Sequence, residues 1–154
     1  MDFVVNEWLP EYFRPTATAA EKRLLQTFLQ RFLERGDRLV VLEASPFLEK
    51  IYRYAKAFQL DYNTVNPIRD FIKLILLDSE RCVFVAKSNQ FDLPDSVFEK
   101  LLITNLSSDT YLFETATAIK NIKVIVTTDI KLHQHFEPED WCRVQLLPDF
   151  LVDY

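Results

Sequence analysis

Three carboxylates and one amide stand where a parallel sheet would gather them. Asn6 follows the short apolar run Phe3-Val4-Val5, and Glu49 lies in the first turns of the helix after Leu39–Leu42. Asp109 opens a helix behind Ser107-Ser108, and Thr127-Thr128-Asp129 follows Val124-Ile125-Val126. In open parallel sheets, sites form outside the carboxyl ends of the strands, so these positions are expected at one end of the fold. Clustered carboxylates raise one another's pKa unless a divalent cation holds them. Oxygen-only ligands suit Mg²⁺ or Mn²⁺ rather than zinc. Such an ion holds a phosphodiester and activates a water for in-line attack. Each residue also has a structural alternative. Asp109 can complement a helix dipole, Asp129 can cap the short helix after it, and Glu49 can pair with Arg53 one turn on.

Other chemistry is thinner. His133 and His135 are two apart, whereas helical metal ligands stand three or four apart; contact with a phosphate is the alternative. Cys82 lies in an apolar run and Cys142 beside Trp141, and neither has a base nearby in sequence. Thr127 and Thr128 could orient a water or the Asp129 carboxylate, or satisfy backbone groups. Trp8, Tyr12 and Phe13, between Pro10 and Pro15, could stack bases, receive a partner helix, or pack as a lid on the core.

Composition narrows the field. Gly36 is the sole glycine among 154 residues, where roughly ten is average usage. A phosphate-cradling P-loop, a GxGxxG fingerprint and a GxSxG elbow are all excluded. Net charge is −5, which does not favour a nucleic-acid backbone or an anionic membrane in bulk. Residues 1–77 sum to +1 and residues 78–154 to −6, which leaves room for a basic lip beside an acidic pocket. The first residues carry no basic leader, no apolar run reaches the roughly 18 residues of a membrane span, and two cysteines make no disulfide framework. A cytoplasmic protein with free thiols is the expectation.

The elements that must position these residues alternate between strand and helix. Thr18 to Arg35 shows apolar residues at helical spacing, a Thr18/Glu21 capping box and Gly36 where a left-handed residue belongs. Ser45-Pro46 opens the next helix, running to Ala55, and Asn66-Pro67 is expected to open a third, Ile68 to about Leu77. Strands are expected at Phe3–Val5, Leu39–Leu42, Cys82–Val85, Val124–Val126 and Val144–Leu147. Residues 93–106 read as helical or irregular, and Thr110 to about Lys120 as helix. This alternation predicts a single three-layer α/β domain over residues 1–154, with a mostly parallel central sheet and helices on both faces.

The stretch from Asp109 through Thr-Tyr-Leu-Phe-Glu-Thr-Ala, followed by Val124-Ile-Val-Thr-Thr-Asp129-Ile-Lys-Leu132, resembles the PIN-domain nucleases. The tail Val144-Gln-Leu-Leu-Pro148-Asp-Phe150-Leu151 is similar to that family's closing strand, and Leu39 to Arg53 to its second strand and glutamate-bearing helix. The resemblance implies a PIN-like, Mg²⁺- or Mn²⁺-dependent endoribonuclease. Glu49, Asp109 and Asp129 would hold the ion, and Asn6 would take the fourth position. Thr127, Thr128, Arg31 and Arg35 would contact RNA, which would approach along the basic face of the first long helix. It also implies a homodimer and a small antitoxin-like protein partner. The chain departs from the pattern at Asn6, where the family places an aspartate. An amide oxygen brings no charge and cannot act as a base. Glu7 is set aside because adjacent strand side chains face opposite ways, and Asp2 because it stands roughly 13 Å back along the strand. The same scaffold without turnover, a module for RNA or protein binding, is therefore the second reading.

Overall fold

The computed structural model describes residues 1–87, 90–137 and 140–154. Five strands, β1 (Asp2–Val5), β2 (Arg38–Leu42), β3 (Cys82–Val85), β4 (Val124–Thr127) and β5 (Arg143–Leu146), form one sheet in the order β3-β2-β1-β4-β5. Every pairing is parallel. Helices α1 (Trp8–Tyr12), α2 (Ala19–Glu34), α3 (Pro46–Ala57), α4 (Tyr62–Phe71), α5 (Asp95–Ile103), α6 (Thr110–Thr117), α7 (Ile130–Phe136) and α8 (Leu147–Asp153) fill the connections. None of the described helices is long and apolar enough to cross a membrane.

Alternation along each strand sends side chains to two cores. Phe3, Val5, Leu39, Val41 and Val126 pack under α1 to α4 and α8, while Val4, Val40, Leu42, Ile125 and Val144 pack under α5 to α7. Burial on both faces explains the unbroken apolar runs of β2 and β4. Phe3 anchors the first core, with the rings of Phe28, Phe32, Phe150 and Tyr154 at 5.4–6.0 Å. Trp8 and Phe13 are buried in the same core, so the aromatic segment after β1 is a packed lid.

Capping follows the sequence at two helices. Thr18 Oγ1 accepts from the Glu21 amide (3.2 Å), and Glu21 Oε2 accepts from the Thr18 amide (2.8 Å). Ser45 caps α3 with Pro46 at its first position. Two other signals misled. No glycine has a positive φ, so Gly36 does not terminate α2 in a left-handed conformation. The carbonyls of its last turn go instead to a guanidinium: Arg81 donates to Phe32 O (3.2 Å), Leu33 O (3.1 Å) and Arg35 O. The left-handed positions fall on Ala44 (φ 53°) and Asn105 (φ 58°). Nor does Pro67 open α4, which starts at Tyr62 and carries the proline inside. The bond that Pro67 cannot donate would go to the Asn63 carbonyl, and both residues are exposed, so water replaces it at little cost. The chain then widens into a π-helical turn at Ile72–Leu76, closed by Leu77 N to Ile72 O at 2.9 Å.

The misplaced glycine has a measurable consequence. A Cβ added at Gly36 meets nothing within 4 Å. Gly36→Ala should therefore stabilise the fold by about 0.4–1 kcal/mol through the unfolded chain. Ala44→Gly should also stabilise, by up to about 1 kcal/mol, by relieving the left-handed alanine. Urea melts of the two variants test both signs, and a loss at Gly36→Ala would mean that residue 36 uses a conformation closed to alanine.

Candidate functional site

The sheet grows outward from β1 in two directions: β2 and β3 on one side, β4 and β5 on the other. The carboxyl ends of β1 and β4 therefore flank the point where strand order reverses. Val5 pairs in register with Val126, which brings Asn6 against Thr127. Asn6 Nδ2 donates to Thr127 Oγ1 at 2.9 Å, and the same hydroxyl oxygen accepts from the Asp129 amide at 3.0 Å. Asn6 Oδ1 accepts from the Trp8 amide at 3.5 Å, and Trp8 Nε1 donates to Val126 O at 3.0 Å. Asn6 and Thr127 are both buried. Their hydrogen bonds hold α1 on β4 and set the backbone that presents Asp129.

Three carboxylates lie near this clamp, Glu7 and Asp129 close enough for their charges to act on Asp109, and they are not the expected three. Asp129 is the N-cap of α7, its Oδ1 accepting from the amides of Lys131 (2.8 Å) and Leu132 (3.1 Å). Asp109 stands at the head of α6, half-buried and with no capping bond from its side chain. Burial pushes its carboxyl up to about 6, and the charges of Glu7 and Asp129 add to that push. Glu7 is the third member, with Oε2 accepting from the Tyr111 hydroxyl at 2.8 Å. Burial, Glu7 and Asp109 together drive the Tyr111 phenol well above its ordinary value.

Glu7 corrects the strand-alternation argument. β1 ends at Val5, and Glu7 sits at the N-cap of α1 in a helical conformation (φ −68°, ψ −2°), so alternation no longer governs where it reaches. The signal available in sequence was the turn that Asn6 and Pro10 imply, which ends the strand before Glu7. Glu49 goes the other way. Its helix α3 packs on the opposite face of the sheet from α6 and α7, Glu49 is exposed, and it is not among the charges acting on Asp109. Its expected partner Arg53 lies over the Tyr54 ring at 5.5 Å. Among the described residues, no three His, Cys, Asp or Glu side chains are arranged to hold a metal ion. The cage expected from Glu49, Asp109 and Asp129 is thus not assembled, and both ends of the Asn6 amide are engaged within the protein.

The remaining candidates also separate. Thr127 serves the clamp, and Thr128 lies near the Tyr12 phenol. Arg31 and Arg35 lie in and just after the last turn of α2, which delivers the chain to the amino end of β2, the far end from the carboxylates. Arg31 donates to Leu151 O, and Arg35 covers the Tyr154 ring at 4.6 Å. His133 Nδ1 contacts Val144 O at 2.7 Å, tying α7 to β5. Burial pushes both cysteine thiols up to about 12, so neither is a nucleophile at neutral pH. Comparison with family models, with curated proteins and with solved structures finds no match to this chain.

The raised carboxyl makes a pH prediction. A folded-state pKa raised from 3.8 to about 6 means that protonation favours the folded form. The penalty is absent below about pH 4, grows between 4 and 6, and is fully present above. Asp109→Asn should therefore raise Tm at pH 7.5 by a few degrees and leave it unchanged near pH 4. Paired thermal melts at the two pH values check this; a variant Tm equal to that of the wild type at both would mean that burial and the neighbouring charges do not penalise the Asp109 carboxylate.

Proposed function

We propose that the carboxyl end of β1 and β4 is a PIN-like, divalent-cation-dependent site for phosphodiester hydrolysis in RNA, with Glu7 supplying the charge that Asn6 lacks. The observation carrying this reading is the nearness of Glu7 and Asp129 to Asp109, whose carboxyl their charges raise, at the reversal point of a parallel sheet. At Asp109 that nearness costs stability, and among the described residues no hydrogen bond or ion pair of its side chain offsets it.

The donor set bears on the ion. A closed protein cage is lacking among the described residues, but Mg²⁺ keeps most of its waters and binds through one or two carboxylates plus substrate phosphate. Asp109 and Asp129 suit such an open site, since Asp129 uses Oδ1 for its cap and Asp109 is unencumbered. A bound divalent cation would polarise the scissile phosphate and lower the pKa of a water. The protein's own groups do the rest. Tyr111 fixes Glu7, Thr127 fixes the backbone at Asp129, and Asn6 joins the two strand ends while adding no fourth repelling charge. A second copy and a small antitoxin-like protein partner remain the company that the resemblance implies, and the cytoplasm the compartment expected for two free thiols.

One observation favours the inactive binding module instead. Asn6 is consumed by the fold, so the family's first acidic position is structurally replaced and not merely neutralised. Two measurements separate the readings. With Mn²⁺ against chelator, the active site predicts a Tm increase that Asp109→Asn abolishes. With single-stranded RNA, wild type should cut, while Glu7→Gln should lose tenfold or more and Asp109→Asn still more. RNA binding without cleavage and without a Mn²⁺ shift would establish the module.

A further inference from the structure

A cleft lies at the opposite end of the sheet, lined by the amino ends of its strands. It encloses about 790 Å³, within the size range of small-ligand sites. Val40 and Val83, paired in register on the adjacent strands β2 and β3, supply apolar floor; Val124 at the start of β4, beyond β1, and Ile119 from the segment after α6 complete the lining. Its charge opposes that of the whole protein. Arg35, Arg38, Lys120 and Arg143 line it against Asp2 and Asp153, a local excess of two positive charges in a chain of net −5.

Two of these cations are already committed. Arg38 makes a two-pronged contact with Asp2 (2.9 and 2.7 Å), and Arg35 lies over Tyr154. Lys120 and Arg143 are exposed, and among the described residues neither side chain has an ion pair or hydrogen bond. An apolar floor with two unclaimed cations at its rim suits a ligand that is flat and apolar on one side and anionic on the other.

We propose that this cleft binds a small organic anion with a planar body, an aromatic carboxylate or a mononucleotide, its body on the valine floor and its anionic group between Lys120 and Arg143. The proposal is independent of the carboxylate cluster.

The test uses the intact chain and anilinonaphthalene sulfonate as the probe. Saturable 1:1 binding is expected, with methyl NMR shifts at Val40, Val83 and Val124. The double variant Lys120→Gln/Arg143→Gln, altered only at exposed side chains, should weaken the Kd fivefold or more. Displacement by AMP but not by anthranilate identifies the nucleotide source, and the reverse identifies the carboxylate. Inorganic phosphate alone should displace poorly. Unchanged affinity in the double variant, or shifts confined to Leu25 and Leu29 in the groove between α2 and α4, would overturn the proposal.

Discussion

Asn6 and Thr127 face each other where the sheet reverses, and the hydrogen bond between them is buried. A single hydroxyl oxygen there accepts from the Asn6 amide and from the backbone of Asp129. The Asn6 carbonyl turns the chain at Trp8, whose indole returns to the carbonyl of Val126. A carboxylate at position 6 could not donate to Thr127 and would be a fourth anion beside Glu7, Asp109 and Asp129. Burial would make that charge costly unless a cation shared it. The asparagine is thus the residue that closes this junction without an ion.

Topology gives the two ends of the sheet different electrostatic characters. Each crossover helix runs back along the strands, so helix N-termini collect at the carboxyl end. Their partial positive charge favours acids in first turns, where Asp109 and Asp129 stand. The last turn of α2 brings basic residues to the amino end, and Arg31 and Arg35 arrive there with it. A basic face read along one helix was therefore split by the direction of the chain, and its last turn faces the valine-floored cleft. The expected basic lip does not stand beside the acidic residues: the basic lining lies at the opposite end of the sheet.

The legible parts of the sequence were those where local chemistry and tertiary packing agree. The Thr18/Glu21 box, the Ser45-Pro46 start and the apolar strands each carry their own reason for being where they are. The failures share a cause: a local signal was overruled by a distant group. Gly36 was not needed for termination because Arg81, 45 positions on, takes the helix carbonyls. Pro67 was tolerated because its missing bond faces water. Glu7 was discarded on strand alternation that had ended two residues earlier, and it finds Tyr111 from across the fold. Glu49 follows the right strand but rides a helix on the other face of the sheet. Strand order and layer assignment decide such meetings, and neither is written in local periodicity.

The three acids are not equivalent. Asp129 would be retained for its cap alone, since its carboxylate satisfies two amides at the head of α7. Glu7 has a partner in Tyr111. Asp109 has neither: among the described residues its side chain makes no hydrogen bond or ion pair, while burial and two neighbouring charges raise its carboxyl. Its position at a helix start offers at most about 1 kcal/mol of dipole stabilisation at an exposed site, and this does not prevent burial, with the charges of Glu7 and Asp129 added, from raising its carboxyl to about 6. A structural role explains Asp129 and goes far toward explaining Glu7. Asp109 is the residue whose cost within the fold has no return, and any ligand that reverses the repulsion must act through it.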